Sequence, residues 1–254
     1  MELDFSLMQL VLLFSVGLIA GFIDSIAGGG GLITIPVLML SNVPLISMLA
    51  VNKIQGVAGS STATLTMIKK RVIKFEDVWK PFLASFVGAA IGAIAIQFFN
   101  EKALSIIIPI VLLGIGFYYL LTPSIGSVEA EPRLSESKFN YGVVPGIGFY
   151  DGAFGPGTGS FFSLSYILLR GKKIIEATGS AKALNFASNI GSMLVFVIGG
   201  HAIWSIAIVM AIGQILGAFL GSLVVISKGA TWIRPMVVVM CFLMVAKYLY
   251  EQFS

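Results

Sequence analysis

The sequence predicts an all-α polytopic membrane protein made of two inverted repeats. Each repeat is read as a glycine-broken hairpin containing a half-helix, followed by three transmembrane helices, giving about 8–10 membrane segments in all. Three observations predict this: the composition, an internal repeat, and the charge of equivalent loops. The 254 residues are 57% hydrophobic and 11% charged, with mean hydropathy +0.98, whereas soluble domains carry about 25% charged residues. Stretches free of Asp, Glu, Lys and Arg cover 5–23, 81–100, 103–128 and 203–227, each near or beyond the roughly 20 residues that cross a bilayer as a helix.

The repeat is visible in the residues themselves. Gly21-Phe22-Ile23-Asp24 matches Gly148-Phe149-Tyr150-Asp151, and a glycine cluster follows each. Lys53 follows the first motif and Lys182 the second at nearly the same interval. Trp79 opens a helix carrying Gly88 and Gly92, as Trp204 opens one carrying Gly213 and Gly217. Tyr118-Tyr119-Leu120 then matches Lys247-Tyr248-Leu249. The division is therefore 1–122 as first repeat, 123–142 as a polar cytoplasmic linker, and 143–254 as second repeat.

Loop charge decides that the repeats are inverted, because cytoplasmic loops carry an excess of Lys and Arg. The loop before Trp79 holds Lys69, Lys70, Arg71 and Lys74, while its counterpart before Trp204 is Gly199-Gly200-His201-Ala202. Conversely, uncharged 41–47 corresponds to a segment with Arg170, Lys172 and Lys173, and Lys228 and Arg234 lie where the first half has only Lys102. Both termini are then expected outside.

Element by element, the first half reads as hydrophobic pieces at about 5–24, 31–42, 45–68, 80–99 and 103–122. The start, Met1-Glu2-Leu3-Asp4, is acidic where a secretory signal is basic, so the first helix is expected to be retained. The second piece is too short to span at 1.5 Å per residue and reads as a half-helix. Before it stand Gly28, Gly29, Gly30 and Gly31, and the second half has Gly155, Gly157, Thr158 and Gly159 at the equivalent place. Successive glycines make a poor helix interior, about 1 kcal/mol each against alanine. They suit an unwound turn followed by a helix start, whose free N–H groups and positive dipole end favour an anion. Gly88-x-x-x-Gly92 and the Gly213, Gly217, Gly221 series read instead as packing devices. A Walker reading fails because no Gly-Lys-Ser/Thr follows either cluster, and no βαβ unit supports a dinucleotide fold.

Charges inside these apolar stretches carry the functional argument, since an ionised side chain at the bilayer centre costs about 2.5–3.5 kcal/mol or more. Asp24 and Asp151 are proton or cation sites, or structural ion-pair partners of Lys53 and Lys182. The lysines read as anion ligands, with Thr34, Asn52, Gln55, Asn185 and Asn189 as neighbouring hydrogen-bond donors. Asn185 follows Lys182 by one helical turn and shares its face. His201 reads as a solvated loop residue, and Trp79, Trp204 and Trp232 as interfacial anchors. With Cys241 the sole cysteine and one histidine, neither a Cys/His metal site nor a cofactor is expected. The net charge of +4 reports loop topology and does not indicate a nucleic-acid partner.

The strings GFIDSIAGGGG, NKIQ, GFYDGAFGPGTGSF and SKGATWIRPM resemble the sulfite exporter TauE/SafE family of bacterial membrane permeases, especially its YfcA branch. The resemblance spans both halves. It implies an inner-membrane transporter, and its glycine-rich segments correspond to Gly28–Gly31 and Gly155–Gly159. Members with assigned roles move sulfite, sulfoacetate or sulfonates. The expectation is a secondary transporter of small anions, chiefly sulfur oxyanions, working by alternating access and not an enzyme. Protons are candidate coupling ions, with Asp24 favoured over Asp151. The rivals are a passive anion channel, a permease for an unrelated carboxylate, an intramembrane enzyme and a purely structural subunit.

Overall fold

The computed structural model describes residues 6–41, 43–98 and 131–228. The expected fifth piece of each half, together with Lys102, Trp232, Arg234 and Cys241, lies outside the described residues. Helices α1 (Leu7–Ala27), α2 (Gly31–Leu40), α3 (Leu45–Lys69) and α4 (Phe75–Ala95) form the first half. Helices α5 (Val144–Ala153), α6 (Thr158–Arg170), α7 (Ile174–Ile198) and α8 (Trp204–Lys228) form the second. Among the described residues four segments are long and apolar enough to cross a membrane: Leu7–Ala27, Phe75–Phe98, Ile174–Ile198 and Trp204–Ser227. The polytopic helical reading holds. At 10 residues, α2 rises only about 15 Å, half of a bilayer core. Helix α3 matches the spans in length at 25 residues but carries a buried polar face of Asn52, Lys53, Gln55, Ser60 and Thr64.

Local sequence accounts for the breaks. Helix α1 opens on a capping box, with Gln9 N–H donating to Ser6 Oγ at 3.3 Å and Ser6 N–H to Gln9 Oε1 at 2.8 Å. It stops at Gly28, whose φ of +74° is the left-handed conformation that side chains with a Cβ avoid. The second hairpin breaks likewise, at Gly155 and Gly157 with φ of +96° and +77°. The glycine clusters are turns leading into helix starts, as their composition predicts.

The expected linker is helical at its end: Glu136–Lys138 and a π-turn over Phe139–Val143 lead directly into α5. The polar residues there concealed two inward positions, Phe139 and Asn140. Phe139 is fully buried and packs on Tyr166 with ring centroids 4.8 Å apart, which holds the segment against α6.

The two halves interlock. Helix α1 lies on α8, where a Cβ at Gly17 or Gly21 would strike the backbone of Met210 or Gln214. One at Gly217 would stand 1.9 Å from the Leu18 carbonyl oxygen. Helix α4 lies on α5 in the same manner: Gly88 meets Pro145, Gly92 meets Phe149, and a Cβ at Gly152 would be 1.9 Å from the Ala89 oxygen. In both pairs the contacts advance together along the two chains, so the helices run parallel. Such backbone-to-backbone approach is how helices associate where lipid removes the hydrophobic drive. Helices α3 and α7 cross between these pairs and run antiparallel, with Gly56 against Asn189 and Gly179 against Met67. Outward faces are apolar, for example Leu83, Val87 and Ile91 on α4 and Ile212, Leu216 and Phe219 on α8, and Trp79 and Trp204 are exposed at helix starts.

Candidate functional site

The two broken hairpins meet turn to turn. A Cβ on Gly28 would lie 2.3 Å from the Ser160 nitrogen and 2.5 Å from Gly159 Cα, so neither turn accepts a side chain at that contact. Ser160 Oγ donates across it to the Ala27 carbonyl. Beside this junction α3 and α7 deliver Lys53 and Lys182, each 1% exposed.

Each lysine pairs with the aspartate of the opposite half. Lys53 Nζ lies 2.8 Å from Asp151 Oδ1, and the Thr158 hydroxyl donates to the same oxygen at 2.7 Å. Asp151 Oδ2 has no hydrogen-bond partner among the described residues. Lys182 Nζ lies 3.3 Å from Asp24 Oδ2 and donates to the Asp24 carbonyl. Asp24 Oδ1 accepts the Gly30 N–H at 3.1 Å. Burying such charges is tolerable only when they are paired and hydrogen-bonded.

Between the pairs is a cavity of about 30 Å³. Asp24, Gly30 and Gly31 wall it from the first hairpin, and Asp151 and Gly155 from the second. Helix α3 adds Asn52 and Lys53, and α7 adds Asn185 and Asn189. The amides are ordered among themselves: Asn52 Oδ1 accepts from Thr34 Oγ1 at 2.7 Å and from Gln55 Nε2 at 3.3 Å. Asn189 Nδ2 donates to Asn185 Oδ1 at 3.3 Å. With its carboxamide oxygen so engaged, Asn52 keeps N–H donors near Gly31 and Gly155, 3.5 and 3.4 Å from where their Cβ atoms would be.

The remaining predicted residues lie behind the wall. Gly28, Gly29, Gly157 and Gly159 shape the turns, and Thr34, Gln55 and Thr158 support wall residues through hydrogen bonds. Lys182 sits outside the cavity lining, with its Nζ 3.2 Å from where a Gly159 Cβ would stand. Two lining residues escaped the sequence reading. Gly56 makes room for Asn189, and Gln214 on α8 donates to Gln55 Oε1 at 3.4 Å. Gln214 is the only amide in the apolar run 203–227, and that isolation was the available signal.

Ammonium, carboxylate and amide groups converging on unwound backbone inside an apolar helix bundle define a polytopic membrane protein with a polar centre, the arrangement of a permease. Residues 13–248 match the family described as Sulfite exporter TauE/SafE. A Haemophilus influenzae protein named "Probable membrane transporter protein" is 44% identical over 250 residues, covering 98% of each chain. The Escherichia coli K12 protein named "Probable membrane transporter protein YfcA" is 44% identical over 239 residues, 94% of this chain and 89% of its own. A Sinorhizobium protein, "Probable membrane transporter protein ORF9", is 41% identical over 236 residues, 93% of this chain and 90% of its own. The chain belongs to the TauE/SafE family of membrane transporters. No solved structure matches it.

Proposed function

We propose that the protein is a secondary transporter that carries small sulfur-containing oxyanions, such as sulfite or sulfonates, across the bacterial inner membrane by alternating access. The observation that carries this reading is the cavity where Lys53 and the Asn52, Asn185 and Asn189 amides converge beside glycine turns. A cation in a low-dielectric site attracts an anion far more strongly than it does in water. At about 30 Å³ the cavity holds a water or two, so a multi-atom oxyanion requires the hairpins or α3 and α7 to move. Movement around a fixed central site is the logic of inverted-repeat carriers.

Inversion is supported by helix directions. The repeat counterparts α3 and α7 run antiparallel, and α1 and α4 each run parallel to a helix of the other half. The loop containing Val72 and Ile73 also touches α7 at Gly179, which brings Lys69–Lys74 and Lys172–Lys173 to one end of the molecule. In a Cys241→Ser background, a cysteine at Lys74 should be blocked to an impermeant thiol reagent added from the periplasm, and one at Gly200 should react. Labelling of both from one side would mean that the halves are not inverted.

The competing reading is a passive anion channel. Counterflow separates the two in proteoliposomes loaded with unlabelled sulfite, thiosulfate or a sulfonate. Trans substrate should accelerate entry of the labelled anion if the protein is a carrier. Equal entry with and without trans substrate would favour the channel.

A further inference from the structure

We infer that Asp151 takes up one proton with each bound monovalent anion, breaking its pair with Lys53 and releasing that ammonium to the cargo, so that the loaded centre stays neutral. This rests on the anion-transport reading and assigns its coupling residue.

Two ammonium groups and two carboxylates share the centre, so its net charge is zero before cargo arrives. An anion added alone leaves one uncompensated buried negative charge, an unfavourable state in a low-dielectric interior. A proton arriving with it removes that imbalance. Of the two carboxylates, Asp151 has the vacant oxygen. Its side chain is 2% exposed, Lys53 and Thr158 both engage Oδ1, and Oδ2 faces no donor among the described residues. A proton on Oδ2 displaces nothing and leaves Oδ1 accepting the Thr158 hydroxyl, so the neutral acid stays oriented.

Asp24 is arranged otherwise. Its Oδ1 takes the Gly30 N–H and its Oδ2 takes Lys182, which is also bound to the Asp24 carbonyl. Neutralising that carboxylate would leave Lys182 tethered to backbone and outside the cavity wall. Lys53 lines the wall, and no backbone carbonyl holds its ammonium among the described residues. The ionisable groups facing Asp151 are Lys53 from α3 and, beyond it, the Asp24–Lys182 pair from α1 and α7. Helices α4 and α6 bring none to the cavity.

The step balances simply. Water on the loading side supplies the proton, which bonds to Oδ2. The Lys53–Asp151 contact opens, and the Lys53 N–H groups turn to the anion. On the other side the anion leaves, Oδ2 returns its proton to water, and the ion pair re-forms.

Difference infrared titration of the full chain in lipid nanodiscs reads the carboxyl directly and needs no cargo. The Asp151 contribution, taken as the wild-type-minus-Asp151→Asn difference so that the exposed loop carboxyls cancel, should appear as a protonated-carboxyl band as pH falls. It should persist when the same subtraction is made in the charge-balanced Asp24→Asn/Lys182→Gln protein. The doubly neutral Asp151→Asn/Lys53→Gln protein removes the same band without a stranded lysine, should the single variant fold poorly. A wild-type-minus-double-variant difference that lacks this band overturns the assignment, as does its loss from the Asp24→Asn/Lys182→Gln protein. In weak buffer, methanesulfonate binding should take up one proton per anion in the wild type and none in Asp151→Asn. If no sulfonate or sulfite binds at all while the Asp151 band titrates, the cargo reading fails and the proton site stands.

Discussion

Replacing Lys53 with glutamine is expected to weaken anion affinity by roughly 10- to 100-fold or more, the worth of a charge-assisted hydrogen bond of about 1.5–3 kcal/mol. Among the described residues, Lys53 is the only cationic one in the cavity wall. Glutamine keeps hydrogen-bonding capacity and removes the charge. Lys182→Gln should behave differently, because its ammonium is bound to the Asp24 carbonyl and carboxylate and does not itself line the cavity. It should affect stability more than affinity. Calorimetric titration with sulfite or a sulfonate, alongside thermal unfolding of each purified variant, separates the two effects. Wild-type affinity in a well-folded Lys53→Gln protein would make Lys53 a structural counter-ion.

The second large effect concerns stability. Asp24→Asn should cost up to about 3–5 kcal/mol, the result of stranding one member of a buried pair, because Lys182 is 1% exposed and the Asp24 side chain 16%. Folding yield and thermal midpoint should fall together. The partner exchange makes the rescue specific: Asp24→Asn with Lys182→Gln should recover yield, and Asp24→Asn with Lys53→Gln should not. Detergent-solubilised yield and unfolding temperature measure both. Rescue by Lys53→Gln instead would mean that the pairing lies within one half.

That specificity marks a boundary of what the residues revealed. Lys53, Lys182, Asp24 and Asp151 were legible because an ionised group in an apolar run is costly and is retained for a reason. The repeat left each aspartate with two equivalent lysines, however, and only the crossing of α3 and α7 decides between them. The half-helix was legible from length and from the glycines before it. The preference for Asp24 as coupling residue rested on its more open four-glycine turn. We infer Asp151 instead, because its Oδ2 has no hydrogen-bond partner among the described residues whereas both carboxylate oxygens of Asp24 are engaged. Gln214 was hidden by its neighbours: Gly213 and Gly217 read as packing, and they do pack on α1, but the amide between them turns inward to Gln55. The helical residues 136–143 were hidden by their polarity, since Phe139 and Asn140 are buried among otherwise polar or exposed positions.

The exchange of partners between halves also dictates a sequence of events at the ribosome. Asp24 and Lys182 are 158 positions apart in the chain, and Ser25 bonds to Ala218 across 193. At about 5–20 residues per second, translation takes on the order of 10 s to supply the missing lysine. Throughout that interval the nascent N-terminal half carries Asp24 and Lys53 without their native partners and an uncovered glycine face on α1. Its maturation cannot finish before α7 and α8 enter the bilayer. The paired centre therefore cannot form until much of the second half has been made.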